Sequence, residues 1–201
     1  DWAASWEPLC AMLGKGRVVL FFVLSLILST QLQFYYLGTA KFLEDIGCPR
    51  SSVPAAMTVA QMATVVSMVF VLPYVFPHLG FRWTLVLGAL FWVCLYLVYV
   101  IQPPRWVVVA SQAFQGLGFA FFFDGAIVYV NQIAPPEIRA TAQSLHTVMT
   151  FGAGLFLGTH LAGYVLDRCR REGKVHWRPF FALPCVPLIA CALAFFLLFT
   201  E

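Results

Sequence analysis

Charged residues are scarce in this sequence of 201 residues, which has 12 Lys and Arg, 9 Asp and Glu, and only 10% charged residues in all. A soluble domain has about 25% charged residues, so the composition argues against one. The net charge of +3 is small, and the chain has no arginine-rich run and no interleaved basic and aromatic stretch. A nucleic-acid partner is therefore not expected.

Residues for metal or catalytic chemistry are also few. The six cysteines form no CxxC pair, and no histidine lies at metal-ligand spacing from any of them. No nucleophile with a paired base and no glycine-rich phosphate loop occurs at the ends of the apolar runs. The sequence therefore predicts no enzyme, no cofactor and no metal site.

Long apolar runs account for most of the chain, in which 61% of residues are hydrophobic and 20 are phenylalanine. A helix needs about 20 mainly apolar residues to cross a bilayer. Backbone groups in lipid must be satisfied within their own segment, which favours helices over strands. The sequence predicts an all-α polytopic membrane protein with six transmembrane helices, at about 17–43, 53–76, 83–101, 106–132, 140–166 and 179–199.

Turn-forming residues separate these runs, as in "EDIGCPRSSVP", "FPHLGFRW", "IQPPRW", "IAPPEIR" and the highly charged "DRCRREGKVHWRP". Six crossings place both termini on one side of the membrane. Four basic residues lie on that side and eight on the other, five of them in the last loop. Because basic loops prefer the cytoplasm, this count alone predicts that the termini lie outside.

Four stretches resemble the C-terminal six helices of the nucleoside:proton symporter family, within the major facilitator superfamily. "LQFYYLGTAKFLEDIG" is similar to that family's seventh helix and "AAMTVAQMATVVSMVFVLPYVFPHLGFRW" to its eighth helix and following loop. "GLGFAFFFDGAIVYVNQIAPPEIRATAQ" resembles the tenth helix, the next loop and the start of the eleventh, which "FGAGLFLG" continues. The sequence also departs from the family pattern: Thr64 replaces an acid, and Phe119 and Ala120 replace a tyrosine and an aspartate.

The resemblance implies a proton-coupled secondary transporter for nucleosides or similar small polar solutes, working by alternating access. Residues 1–16 are then a cytoplasmic linker segment and residues 17–201 the C-terminal six-helix domain, which requires an N-terminal six-helix half as its partner. The protein is expected in the cell (inner) membrane, in contact with lipid, with cytoplasmic termini. That expectation opposes the count of basic residues, and we follow the resemblance.

Two ionisable residues inside the predicted spans, Asp124 and His146, are candidates for proton coupling, because charges in the bilayer are costly and usually functional. At about 100° per residue, Asp124 lies about 40° round from Ala120 and one turn further along. The carboxylate has therefore moved along nearly the same face. Asp124 and His146 are each eleven residues from Pro135, so an antiparallel hairpin places them at similar depth. Whether they touch, or serve in packing, is left open.

Uncharged polar and aromatic residues in four of the spans suit a solute with a base and a sugar, because amides bond polar edges and rings stack on flat faces. The predicted solute-binding residues are Gln33, Tyr36, Gln61, Gln115, Phe119, Phe122 and Thr150. The alternative for each glutamine is a hydrogen bond that bridges neighbouring helices. The stripe with Gln115 and Phe119 lies roughly opposite Asp124, so one of these two faces is expected to pack against a neighbouring helix.

Other functions remain open at this stage. The departures at Thr64 and Ala120 are compatible with a major facilitator transporter of an unrelated solute, such as a sugar or an organic anion. A non-transporting membrane receptor or scaffold is a further alternative, which the intramembrane Asp124 and His146 disfavour. Gly154 and Gly158 have the spacing that lets two membrane helices approach closely, and they are predicted to serve in packing.

Overall fold

The computed structural model describes residues 2–199, which are almost entirely helical. The α-helices are α1 (Trp2–Leu13), α2 (Gly16–Asp45), α3 (Val53–Val66), α4 (Leu72–Ile101), α5 (Arg105–Phe119), α6 (Gly125–Ile133), α7 (Arg139–Thr147), α8 (Leu155–Arg168), α9 (Trp177–Ala182) and α10 (Cys185–Leu198). Three π-helical segments, Ser67–Val71, Ala120–Asp124 and Val148–Gly154, continue one α-helix into the next. Short 3₁₀ turns cover Arg50–Ser52 and Pro136–Ile138.

Five continuous helical stretches are long and apolar enough to cross a membrane: Gly16–Asp45, Arg50–Ile101, Arg105–Ile133, Pro136–Arg168 and Trp177–Leu198. The second has 52 residues and would measure about 78 Å as one straight helix, against about 30 Å of hydrocarbon. It is interrupted at Gly80, whose φ of 70° and ψ of 177° are not helical. The break divides it into two helices, which we number as the second and third of six spans.

Proline and left-handed residues set the helix ends, as the sequence predicts. Gln102, with φ of 57°, ends α4, and the pair Pro103 and Pro104 precedes α5. The last loop forms a two-residue hairpin between β1 (Arg170–Arg171) and β2 (Lys174–Val175). Its turn residues, Glu172 and Gly173, both have positive φ, of 51° and 78°, as a tight turn of the type I′ kind requires.

The first span packs on the fifth and the second on the fourth, while the third span packs on both the fourth and the sixth. Glycines allow two of these close approaches. A Cβ on Gly116 would lie 2.1 Å from the Ala60 carbonyl oxygen, and one on Gly158 would lie 2.5 Å from the Thr30 carbonyl oxygen. Gly154 packs in the same way on Ser29, so Gly154 and Gly158 contact the first span as predicted.

The predicted linker segment contains a helix, α1, which turns back against the bundle instead of extending away. Leu9 and Met12 on this helix are buried, and α1 packs on the Pro136–Ile138 turn and on α7. From the sequence, residues 1–16 were predicted to be a linker and no helix was predicted there, whereas α1 forms in this segment. It is stabilised by tertiary contacts.

Candidate functional site

The three π-helical segments lie in the second, fourth and fifth spans. A π-helix forms i→i+5 hydrogen bonds and occurs mainly as a single turn, frequently at functional sites. All nine predicted site residues lie in these three spans and in the first span. Among residues 2–199, the first, third and sixth spans contain no π segment. The unusual backbone and the polar candidates therefore share one part of the bundle.

Gln112 and Gln115 of the fourth span bond to neighbouring helices. The Tyr35 hydroxyl of the first span donates to Gln112 Oε1 at 2.8 Å, and Gln112 Nε2 donates to the Tyr99 hydroxyl of the third span at 2.6 Å. Trp92 Nε1 donates to Gln115 Oε1 at 2.8 Å. Both glutamines are buried. Gln115 was predicted to contact the solute, with a hydrogen bond between helices as the alternative role. The structure shows the hydrogen bond between helices.

Two more predicted solute contacts are enclosed within the bundle. Phe122 is fully buried, with its ring 6.0 Å from that of Trp92 and 6.0 Å from that of Phe195. Thr150 is also fully buried and donates to the His146 carbonyl oxygen at 2.7 Å. Neither side chain is accessible to a solute in this conformation. Both instead support the helices that bear the accessible candidates.

The other four predicted contacts are accessible. Tyr36 is 45% exposed, Gln61 is exposed, and Gln33 and Phe119 are half-buried. The Phe119 ring lies 6.3 Å from the ring of Phe151 in the fifth span, which is itself partly exposed. Phe151 was not predicted from the sequence, where only Gly154 and Gly158 of "FGAGLFLG" were assigned a role, in packing; an aromatic residue among small ones was a signal. These residues come from four different spans.

Asp124 is the last residue of the Ala120–Asp124 π segment and lies in an apolar groove of about 250 Å³ between the second and fourth spans. Its neighbours there include Met68, Phe76 and Ile127. Among the residues that the structure describes, the buried Oδ2 atom has no hydrogen-bond partner. An unpaired ionisable group in a membrane span is a functional candidate. Asp124 lies on the face of the fourth span that packs against the second span. Gly116, on the same helix, also contacts the second span.

His146 occupies a different environment from Asp124. Its imidazole is buried and lies against two aromatic rings of the first span, stacked on Phe21 at 5.5 Å and edge-on to Phe22 at 5.9 Å. Neither ring nitrogen has a hydrogen-bond partner within the described part of the chain. The two predicted proton-coupling residues therefore form no hydrogen bond with each other here. Equal spacing from Pro135 predicts similar depth only, and the two side chains face different helices.

The bundle of six spans, with polar and π-helical elements concentrated in four of them, defines one half of a major-facilitator-type membrane transport protein. The same fold occurs in a crystal structure of the nucleoside transporter NupG, with a TM-score of 0.86 and 21% identity over 100% of this chain and 53% of that chain. A family model described as "Nucleoside H+ symporter" matches residues 3–201. The chain belongs to that family.

Curated relatives are consistent with the family assignment. The chain is 22% identical over 213 residues to the nucleoside permease NupG of Escherichia coli (strain K12), covering 97% of this chain and 50% of that protein. It is 23% identical over 201 residues to the putative nucleoside transporter YegT of the same organism, covering 94% of this chain and 47% of that protein. The chain thus spans about half the length of the curated relatives it matches.

Proposed function

We propose that this chain is the C-terminal half of a secondary transporter that takes up nucleosides together with protons. Such transporters bind their solute near the bilayer midplane between two helical halves, which expose it alternately to each side. The family assignment supports the solute class and the coupling ion. Because the chain spans about half of its relatives, an N-terminal six-helix half is the required partner.

The solute contacts from this half are Gln33, Tyr36, Gln61 and Phe119. Their accessibility supports this assignment, as does their chemistry: the two amides bond the polar edges of base and ribose, and the rings stack on the base. The helices that carry these four residues are stabilised by buried side chains within the bundle, namely those of Gln115, Phe122 and Thr150. Thr64 replaces an acid of the family pattern, so the acid is not the group that recognises the solute here.

The single observation that supports proton coupling in this half is the buried Oδ2 of Asp124, which has no hydrogen-bond partner among residues 2–199. A carboxyl group in that setting can take up and release a proton as the helices rearrange, because its surroundings offer no fixed partner. The adjoining π segment supplies a stretch of helix whose hydrogen bonds can shift. His146 is the second candidate, since its buried ring nitrogens too have no partner in the described part of the chain and an imidazole can bind and release a proton.

The protein resides in the cell (inner) membrane with both termini in the cytoplasm. The five basic residues of the last loop then lie outside, against the usual preference. The family resemblance supports this orientation.

Radiolabelled uptake into cells that express the intact protein tests the proposal. Uridine or adenosine should accumulate against its gradient when the outside is acidic, and a protonophore should abolish accumulation. Asp124→Asn should remove pH-driven accumulation and leave solute exchange largely intact, whereas Asp167→Asn, at an exposed site near the end of α8, should change neither. Accumulation that a sugar or an organic anion inhibits, and uridine does not, would contradict the solute class.

A further inference from the structure

A cavity of about 730 Å³ lies at the end of the bundle where the β1–β2 hairpin joins the fifth and sixth spans. We name it the hairpin groove and define it by Leu37, Lys41, Leu166, Arg170, Lys174 and Trp177, which are among its lining residues. None of the predicted site residues lines it. The proposed transport mechanism therefore leaves it unexplained.

The rim of the hairpin groove has an excess of positive charge. Its one carboxylate, Asp45, is already paired: Lys41 Nζ lies 2.9 Å from Oδ1, and Trp177 Nε1 donates to Oδ2 at 3.0 Å. Nearby, Glu44 forms ion pairs with Lys41 and Arg50 at 3.5 and 3.3 Å. Arg170 and Lys174 form no ion pair within the described chain. Two cationic side chains thus remain available at this rim.

The wall below the rim is apolar. Leu37 lies four residues before Lys41 in α2, and Leu166 lies four residues before Arg170 at the end of α8 and the hairpin. Lys41 lies about one helical turn beyond Leu37, and Leu166 lies in the last turn of α8 whereas Arg170 lies beyond the end of that helix, in β1. Each leucine therefore lies deeper in the bundle than its basic neighbour. Leu37 is 39% exposed and Leu166 is half-buried. Positive charge above an accessible apolar wall is the arrangement that matches a phospholipid, whose phosphate lies above its acyl chains.

The groove opens on the side of the first span that faces away from the fourth span. On the first span, Tyr35 contacts the fourth span through Gln112, whereas Leu37 lies about 200° round the helix from Tyr35. Two neighbouring contacts bound that outer side: Thr30 packs on Gly158 of the fifth span, and Gly38 packs on Phe180 of the sixth. Leu37 and Lys41 therefore lie between the fifth and sixth spans, on the side of the first span that faces away from the fourth. Leu37 is exposed on that side.

We propose that the hairpin groove binds an anionic phospholipid, with the headgroup phosphate on Arg170 and Lys174 and the upper acyl chain along Leu37 and Leu166. The assignment does not depend on the nature of the transported solute. It also gives a role to the basic residues of the last loop, which otherwise oppose the orientation of the protein. Bound lipid offsets their charge and holds the hairpin at the membrane surface.

Native mass spectrometry of the intact protein in detergent, titrated with phosphatidylglycerol, tests the proposal. A saturable first lipid should bind to the wild type, and the Arg170→Gln/Lys174→Gln double variant should bind it about 30-fold more weakly, since each basic residue near an anionic headgroup contributes a factor of about five. The matched control is Arg171→Gln/Arg178→Gln. It removes the same charge from exposed positions that do not line the groove, and it should bind within about two-fold of wild type.

Three further measurements separate the alternatives. Equal binding of phosphatidylethanolamine would overturn the proposal, because that headgroup has no net charge. If millimolar inorganic phosphate displaced the bound phosphatidylglycerol, the proposal would also be overturned, in favour of a site for free anions. Leu166→Gln should weaken lipid binding and leave the response to phosphate unchanged, and unaltered lipid binding would contradict the position of the acyl chain. Thermal unfolding without lipid shows whether each variant is folded.

Discussion

The Tyr35 hydroxyl and the Gln112 side-chain oxygen form a hydrogen bond of 2.8 Å between the first and fourth spans. The amide nitrogen of Gln112 extends this bond to the Tyr99 hydroxyl of the third span, at 2.6 Å. Gln112 thus joins three helices through a single fully buried amide. In lipid such interhelical bonds stabilise a bundle, because its packing gains little from the hydrophobic effect.

Replacing Gln112 by Leu should lower stability and leave solute affinity unchanged. The loss should be about 0.6–2 kcal/mol, because two tyrosine hydroxyls lose their partner at once. Thermal unfolding in detergent measures the first effect and the KM for uridine uptake the second. Tyr36→Phe, at the exposed neighbouring position, is the control for stability and should instead raise KM. A Gln112 variant with normal stability and altered KM would contradict the structural role.

Replacing His146 by Phe separates packing from proton transfer. The phenyl ring can keep the contacts with Phe21 and Phe22, so the variant should fold and reach the membrane in normal amounts. It should nevertheless lose pH-driven accumulation, because phenylalanine cannot titrate. Uptake at several external pH values and surface expression are the two measurements. Wild-type accumulation by this variant would show that His146 serves only in packing.

Gly116→Ala should destabilise the pair of second and fourth spans. The added Cβ would lie 2.1 Å from the Ala60 carbonyl oxygen and 2.6 Å from the Thr64 nitrogen, so the backbones must separate. Overpacking of this kind costs about 1–3 kcal/mol. Gly163→Ala is the matched control, because nothing lies within 4 Å of its added Cβ. Similar unfolding temperatures for the two variants would contradict the close approach.

The orientation of the chain can be measured with thiol labelling. In a background where the other cysteines are replaced by serine, a membrane-impermeant maleimide should label Glu172→Cys, in the hairpin turn, in intact cells. Native Cys10, which is exposed on α1, should be labelled only after the cells are permeabilised. The opposite pattern would mean that the count of basic residues, rather than the family resemblance, predicts the topology.

The architecture of this protein was largely readable from local sequence. Each span consists of enough apolar residues to cross the bilayer, and backbone groups in lipid leave helix as the available conformation. Proline pairs such as Pro103 and Pro104, together with Gly80, set the breaks, because they affect the backbone at their own positions. The structure extends the predicted first span by one residue at its start and two at its end, a small difference for helix termini.

The face that each helix turns towards its neighbours could not be predicted from local sequence in the same way. A uniform 100° per residue does not describe the fourth span, because the wider turn of the Ala120–Asp124 π segment changes the phase of every residue after it. Phe122, inside that segment, was predicted to contact solute, yet it is buried beside Trp92. Gln115 precedes the segment, and its hydrogen bond to Trp92 instead reflects how the third span packs. Their environment depends on which third-span residues pack opposite them.

Asp124 and His146 show the same limit. Equal spacing from Pro135 predicts only that the two residues lie at similar depth, since rise along a helix is a local property. Whether two side chains meet depends on how the second span packs on Gly116 and how the first span places Phe21 and Phe22. Those contacts join residues far apart in the chain, and packing against neighbouring helices, rather than apolar composition, sets the rotation of each span about its axis.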